Sequence, residues 1–472
     1  MPCLLAACTV GPNFKHPAVP TVDRYTARPL PYEAGSQRFL AGGAIAARWW
    51  TVFKSPMLDA LEDQAMNANS DLASARAALR QAHELYLAQR AALWPTVGLA
   101  GSGQRAKNSD VIAPPLANNS EEYTLFQGQL NLSYDPDVFG SVRRQIESAA
   151  ATAEAQRYQS EAVYLTLTTN VANAAIQLAS LQSQLDATED VIAANQRTFD
   201  LTRQEQAAGQ AAKTDVATAR SALEQAEQLA PPLRKQIGQQ RDLLAVLIGR
   251  PSAEAPAARF SLADFTLPRD LPVSLPADLV RQRPDVLAAE ANLHVASAQV
   301  GVAVAARLPD FTLTGSAGGA SGVLTTLLTP DNTLWSIGGS VAWTVFDAGA
   351  LKHKQKAAEA ALDQAKAQYR SAVLGALQNT ADTLQAIVQD AETDRHAWAA
   401  QVAADSSLRL AQQEAAKGET GVLPVLTARA AEGQAAVTMA QSHAARYADT
   451  VALFQALGGG WWNDPQQAVV AR

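Results

Sequence analysis

Between Leu334 and Val345, apolar and small polar side chains alternate. Trp335, Ile337, Val341, Trp343 and Val345 fall on one side, and Ser336, Gly338, Ser340, Ala342 and Thr344 on the other. A period of two predicts a strand with one face in an apolar phase and one in water. Phe346-Asp347-Ala348-Gly349 breaks the pattern. From Ala350 to Lys417 there is no proline and one glycine, Gly375. That stretch predicts an unbroken helix of about 68 residues, roughly 100 Å long at ~1.5 Å per residue. A strand of membrane-crossing length feeding such a rod predicts a membrane barrel joined to a helical tunnel.

The same unit occurs earlier in the chain. Leu130, Leu132 and Tyr134 alternate with Gln129, Asn131 and Ser133, Gly140 ends that strand, and Ser141 to Ala208 predicts a second long helix. Gly140 and Gly349, Gly209 and Gly418, and Gly249 and Gly458 are each 209 positions apart. Upstream of the strands the offset is 214, as for Asp71 with Asp285, Leu79 with Leu293 and Pro95 with Pro309. The change places a length difference between Pro95 and Gly140, expected in the hairpin loop. The chain therefore reads as an internal duplication.

Taken in order, Trp49-Trp50 and Phe53 form an apolar knot. Pro56 to Leu93 reads as one helix, ended before Pro95 because proline disfavours helix in the residue that precedes it. Val97, Leu99 and Gly101 alternate with Thr96, Gly98, Ala100 and Ser102 in a first strand, and Lys107 to Glu122 is a polar loop. Along the first rod, Leu167, Val171, Ala174, Leu178, Leu181, Leu185, Thr188, Ile192, Asn195 and Phe199 recur at intervals of four and three, the seam of a coiled coil. Gly209 ends the rod as a C-cap. Thr214-Asp215 opens a return helix, which Pro231-Pro232 must bend or break. Ala255 to Pro276 is an irregular link. The second copy runs from a helix at Pro284 through strands at Phe311 and Leu334 to the second rod, a tip flanked by Gly418 and Gly421, and a return from Leu423 to Leu457. The predicted organisation is a signal-peptide remnant at 1–7, a lipidated extended segment at 8–56, a first repeat at 57–250, a linker at 251–283, a second repeat at 284–458 and a tail at 459–472.

Composition narrows this picture. Charged residues make up 18% of the 472 and aromatics 6%, and alanine-rich stretches suit closely packed helices. A net charge of −7 argues against nucleic acid as partner. No run of 18 apolar residues occurs, so a membrane role must use strands. Cys3 and Cys8 are the cysteines, too few and too close to the start for a disulfide framework or a metal site. Leu5-Ala6-Ala7-Cys8 resembles the lipobox of a bacterial lipoprotein, with Cys8 expected to be the lipidated residue and Met1 to lie inside a longer signal.

Three motifs give the chain a likeness: Leu5-Ala6-Ala7-Cys8 with Val10-Gly11-Pro12-Asn13-Phe14; Gln282-Arg283-Pro284-Asp285-Val286-Leu287-Ala288-Ala289-Glu290; and Ala456-Leu457-Gly458-Gly459-Gly460-Trp461. With the duplication, they resemble the bacterial outer-membrane efflux proteins, the TolC/OprM-like channel tunnels, in their lipoprotein branch. The resemblance implies a mixed α and β fold: a homotrimer whose four strands per chain make a twelve-stranded transmembrane β-barrel, continuous with a long periplasmic helical barrel. It implies outer-membrane lipid around the strands and a periplasmic adaptor at the helical tips. The inner-membrane partner would be a pump of the resistance-nodulation-division type. The function so implied is export of drugs or other small toxic compounds, the alternative being the tunnel of a type I protein secretion system.

Thr214-Asp215-Val216-Ala217-Thr218-Ala219-Arg220 is similar to a tip segment whose aspartate helps close the periplasmic aperture in that family. The resemblance makes Asp215 a gate candidate, with Lys213 as its cation; helix capping by Asp215 is the competing reading. In the second copy Ala415, Thr420, Pro424 and Thr427 stand where gate residues occur in relatives, leaving apolar closure by Val422 and Leu423. Gly209, Gly418 and Gly421 mark the tips expected to meet the adaptor. Asp285 beside Pro284 reads as structural. No enzyme motif is present: the six histidines are scattered, and there is no G-x-S-x-G, phosphate loop or H-E-x-x-H. No catalytic residue, cofactor or metal is expected.

Overall fold

The structure is a computed structural model that describes residues 9–107 and 122–463. In chain order its elements are β1 (Glu33–Ala34), β2 (Gln37–Ala41), α1 (Pro56–Ala68), α2 (Ser70–Ala91), β3 (Thr96–Lys107), β4 (Glu122–Tyr134), α3 (Ser141–Ala207), α4 (Lys213–Glu227), α5 (Ala230–Leu247), β5 (Asp270–Val273), α6 (Pro276–Gln282), α7 (Pro284–Ala305), β6 (Asp310–Ser321), β7 (Thr333–Ala342), α8 (Ala350–Ala416) and α9 (Val422–Ala456). The two rods are thus single helices of 67 residues each. Contacts divide the chain into two compact units: Met1–Pro17, Ala78–Arg157 and Ala288–Arg370 form the first, and Ala18–Ala77, Tyr158–Leu287 and Ser371–Arg472 the second. Each unit draws on both repeats. Among the described residues no helix is long and apolar enough to cross a membrane.

The first unit holds an antiparallel sheet in the order β3-β4-β6-β7. Its strands run 10 to 13 residues, enough at ~3.3 Å per residue to cross a ~30 Å apolar layer when tilted. Two strand ends differ from the sequence reading. β4 stops at Tyr134, not at Gly140, and β7 stops at Ala342, leaving Trp343 and Val345 outside it. The reason is capping. The Asp137 carboxylate accepts the N–H groups of Val142 and Arg143 at 2.8 and 3.0 Å, so Asp135 to Gly140 serves the start of α3. Asp347 does the same for α8, accepting from Gly349 and Leu351 at 2.8 and 2.6 Å. The Leu351 N–H, with its neighbours, holds the Asp347 carboxyl below its ordinary range. The length difference between the copies is shared. The segment between strands is longer in the first copy, 108–121 against 322–332, and β4 has 13 residues to the 10 of β7.

The second unit is organised on the apolar knot. Trp49, Trp50 and Phe53 are fully buried; Trp49 stacks on Phe454 with centroids 5.4 Å apart, and Phe53 meets Tyr447 edge-on. The expected single helix from Pro56 to Leu93 is two helices. Asn69 sits in extended backbone between them, its Oδ1 accepting from Asp71 and Leu72 and its Nδ2 donating to the Leu247 carbonyl at 3.0 Å. Its amide caps α2 locally, so asparagine wins over helix continuation. The return helix is broken as expected, with Pro231-Pro232 in the first turn of α5. Pro-rich segments taken as extended chain and link do more than connect. β1 and β2 form a hairpin in the first, and β5 in the second pairs parallel to β2, from Arg38↔Asp270 to Ala41↔Val273. Strands of two to five residues carry too little periodicity to be visible in sequence.

Along α3, the predicted seam is buried at Leu167, Val171, Ala174, Leu178, Leu181, Thr188 and Asn195, and half-buried at Leu185, Ile192 and Phe199. Ala172, Ala175, Ile176 and Ala179 are buried too, because α3 is flanked on more than one side here. Gln240 of α5 donates to the Ala174 carbonyl, and Ser180 donates to that of Ala440 in α9. Small residues permit this approach: a Cβ at Gly433 would lie 2.4 Å from a Val191 methyl. Two of the three motifs of the family resemblance also meet in this unit. Arg283 pairs with Asp285 at 2.7 Å and donates to the Ala456 carbonyl at 2.9 Å, and Trp461 Nε1 donates to the Gln282 carbonyl at 2.8 Å. Arg283 therefore caps the C-terminus of α9, where a cation is favourable.

One buried group opposes this core. Glu62 of α1 is fully buried beside the knot, and neither carboxylate oxygen has a hydrogen-bond partner among the described residues. Burial first, then the charges of Asp59 and Asp63, push its carboxyl well above the ordinary range. A folded pKa above the unfolded ~4.3 means that stability is highest at acid pH and falls as pH rises towards the folded value, by at most ~1.4 kcal/mol per pH unit. Glu62→Gln should therefore raise the melting temperature more at pH 8 than at pH 5 in thermal unfolding. An equal shift at both pH values would show that Glu62 is not the titrating group.

Candidate functional site

The register of the sheet sorts its side chains. Val97 faces Leu132, Leu99 faces Leu130, Leu132 faces Gly315, Leu130 faces Ala317, and these face Ile337 and Trp335. Since partners across an antiparallel ladder share a face, one surface carries Val97, Leu99, Leu130, Leu132, Leu313, Phe311, Trp335, Ile337 and Val341. Most of these are exposed, Leu99 and Ile337 to more than 80%. The other surface carries Thr96, Ser102, Gln129, Asn131, Ser133, Thr312, Thr314, Ser316, Ser336 and Ser340, with Ser316 and Ser336 hydrogen-bonded at 2.8 Å. The alternation read separately in four segments is thus in phase across the sheet. Among the described residues nothing pairs with the outer edges of β3 and β7, so two rows of backbone donors and acceptors stand open.

The tips lie in the second unit. Gly209 and Gly418 adopt φ of +75° and +73°. At each, the following N–H reaches back five residues, Gln210 to the Glu205 carbonyl at 2.8 Å and Glu419 to that of Glu414 at 3.0 Å. Gly249 and Gly458 repeat this, with Arg250 donating to Ala245 and Gly459 to Phe454. These are left-handed C-caps. Gly421 differs: its φ is −84°, and it is the N-cap of α9 with open space around it. Asp215 lies in the first turn of α4, and its Oδ2 accepts the Ala212 N–H at 3.0 Å. Lys213, exposed, makes no ion pair with it in the single chain. Leu423 is exposed at the start of α9, Val422 is half-buried beside it, and behind them Leu408, Ala411 and Ala428 pack with Val425.

Sequence reasoning missed how the N-terminal segment is held. Cys8 lies outside the described residues. From Thr9 on, the chain is strapped to the first unit. Val10 donates to the Phe139 carbonyl at 3.2 Å, Arg144 reaches the Val10 carbonyl at 3.0 Å and Asn13 Oδ1 at 2.7 Å, and Phe14 stacks on His294 at 4.2 Å. His294 in turn pairs with Glu147 at 2.9 Å, and His16 with Glu290 at 2.5 Å. Gly11, at φ +88°, passes so close to Gly301 in α7 that a Cβ would lie 2.4 Å from its Cα. A glycine inside a helix was the one available sign of that crossing. Among the described residues no group of histidine, cysteine and carboxylate side chains is placed to hold a metal.

A four-stranded sheet with one apolar and one hydroxyl-lined face, its edges open, together with duplicated helices of 67 residues, defines a protomer of a membrane channel. The chain belongs to the outer membrane efflux protein family, whose model matches residues 61–250 and 275–459. It is 33% identical over 422 residues to the pyoverdine export outer membrane protein OpmQ of Pseudomonas putida, covering 88% of this chain and 89% of that one. It is 30% identical over 470 residues to the toluene efflux pump outer membrane protein TtgI of Pseudomonas putida, covering 97% and 96%. The solved outer-membrane channel OprN superposes with a TM-score of 0.87 at 28% identity, covering 96% of this chain and all of that one. The protein is an outer-membrane channel component of an efflux pump, in a family of channels and not of enzymes.

The tip geometry separates its glycines. Gly209→Ala or Gly418→Ala should cost about 1 kcal/mol each, because alanine pays for the left-handed backbone where no neighbour would be touched. Gly421→Ser should be neutral or stabilising by a few tenths, as serine caps helices at least as well. Thermal melting in detergent distinguishes these outcomes.

Proposed function

We propose that three copies of this chain close a twelve-stranded barrel in the outer membrane and conduct small toxic compounds from a periplasmic adaptor and an inner-membrane resistance-nodulation-division transporter to the exterior. The observation that carries this reading is the pair of open edges on strands with an apolar face. Unpaired backbone groups are not tolerated in hydrocarbon, so β3 of one copy must pair with β7 of the next. Four strands cannot close alone, and eight leave an interior just filled by side chains. Three copies are the fewest that leave a water-filled lumen, which the serine, threonine and amide face then lines. The names of relatives support the class of cargo, since they are outer membrane proteins of pyoverdine export, solvent efflux and toluene efflux.

Cys8 is the proposed lipid anchor, with the strap from Thr9 to His16 fixing the chain that follows it. One experiment addresses assembly and anchor together. Protein expressed behind a complete signal peptide should have the mass of three lipidated chains in detergent. Cys8→Ser should lose the lipid and remain a trimer. A monomer that conducts in a bilayer would overturn the assembly, and lipid retained by the variant would overturn the anchor.

At the tips, Asp215 is the proposed gate residue. Its Oδ2 is committed to the Ala212 N–H, which leaves Oδ1 for a cation such as Lys213 of a neighbouring copy. Exposed pairs are worth only ~0–1 kcal/mol, so the pair biases opening, while Val422 and Leu423 add apolar closure. Adaptor docking at the turns of Gly209 and Gly418 would compete with both. Asp215→Ala should raise single-channel conductance with little change in melting temperature; unchanged conductance with a lower melting temperature would leave Asp215 as a helix cap alone.

A further inference from the structure

In the first unit the apolar surface of the sheet finishes, at its helix end, in exposed aromatic rings. Trp94 lies two residues before β3, and Trp343 and Phe346 lie just past β7; all three are exposed. Aromatic side chains at the rim of an apolar band mark the headgroup level of a membrane. Trp343, two residues past Val341 of the apolar surface, donates from Nε1 to the Arg307 carbonyl at 3.1 Å. The exposed Arg307 side chain donates through Nη1 to Gln355 Oε1 of α8 at 2.5 Å. Lys352 neighbours Gln355 at i,i+3 and Lys356 at i,i+4 on the helix surface, and both lysines are exposed. Three cations therefore gather beside Trp343.

The first repeat carries different charges at the same positions. At the offset of 209, Lys352, Lys354 and Lys356 correspond to Arg143, Gln145 and Glu147. In the first copy the cations are neutralised: Arg143 pairs with Asp137 at 2.9 Å and Arg144 with Glu147 at 2.6 Å. Arg144 also holds Val10 and Asn13 of the N-terminal strap. In the second copy a lysine replaces Glu147, and neither Lys352 nor Lys356 has an ion-pair partner among the described residues. The nearest acid along α8, Glu359, accepts from Gln355 at 2.8 Å, and Asp347 is taken up by the N–H groups of Gly349 and Leu351. Like charges one turn apart repel, so an anion from outside the chain would be favourable here although the protein as a whole is acidic, at −7.

We propose that Arg307, Lys352 and Lys356 bind the phosphate of an anionic phospholipid in the periplasmic leaflet, with Trp343 against the glycerol and the acyl chains. The site rests on the reading of the sheet as part of a membrane barrel. That reading puts a headgroup layer about 5–8 Å deep at the helix end of the strands. Ala350 to Lys356 rises only ~9 Å, and lysine lays its stem along apolar surface to bring its ammonium group to such a layer. A zwitterionic headgroup carries its own cation and gains less from the three charges. Lys354 lies about 200° round α8 from Lys352, outside the site.

Native mass spectrometry of the full-length protein in detergent, with phosphatidylglycerol or phosphatidylcholine added, tests this. The wild type should retain phosphatidylglycerol in preference to phosphatidylcholine. Lys356→Gln should weaken phosphatidylglycerol binding about fivefold, and Lys352→Gln with Lys356→Gln about 25-fold, with phosphatidylcholine unaffected. Lys354→Gln removes the same charge as Lys356→Gln and should bind as the wild type does; an equal loss would show attraction to net charge alone and overturn the site. Equal retention of the two lipids by the wild type overturns it. So does displacement of the lipid by inorganic phosphate at the same concentration, which would assign the cations to a free anion. A double variant with altered ion selectivity and unchanged lipid retention would place the lysines in the lumen, and overturns it as well. The same spectra report assembly: a monomer overturns the barrel and the site with it, whereas a trimer without lipid preference overturns the site alone.

Discussion

Backbone hydrogen bonding in a hydrocarbon phase is the constraint on which this protein depends. A sheet of four strands with apolar side chains on one surface is not a finished object, because the outer edges of β3 and β7 present donors and acceptors with no water to take them. Everything about the strand segments fits completion by identical neighbours. Their lengths match a membrane, their alternation is in phase across the ladder, and their polar surface is built from hydroxyls and amides that tolerate a wet interior.

The helical part answers a different problem. Helices of 67 residues with few large apolar side chains cannot rely on bulky cores. They rely on close approach, which alanine, serine and glycine permit, and on firm ends. The ends are repeated devices. Left-handed glycines close the helices before Gly209, Gly249, Gly418 and Gly458, and aspartates open α3 and α8. The few large aromatics are concentrated where the Trp49-Trp50-Phe53 knot meets Phe454 and Tyr447. There the two motifs that most resemble the efflux family lock together, Arg283 capping α9 and Trp461 binding the Gln282 carbonyl. Their occurrence in the sequence reflects a junction, which is why Asp285 and Arg283 carry structure and not chemistry.

Periodicity was the most informative signal. The matched glycines at an offset of 209 predicted a shared backbone geometry, and all six have positive φ. Where the reading differed, a local side chain outweighed the pattern. Asn69 ended a helix that alanine-rich sequence would continue, and Asp137 began a cap where strand was expected. The short strands β1, β2 and β5 lie in stretches whose composition signals only irregular chain; β5 exists because β2 offers it a parallel edge.

The sequence by itself determined what depends on neighbours along the chain. Alternation set the strands, the absence of proline and glycine set the rods, and glycine positions set their ends, because each acts through backbone geometry within a few residues. The tertiary structure alone decided what depends on distant residues meeting. It put Gly11 against Gly301, Arg144 across the N-terminal strap, and Glu62 where its carboxylate is buried without a hydrogen-bond partner. Burial and charge at such points are sums over side chains far apart in sequence, and no local pattern encodes them.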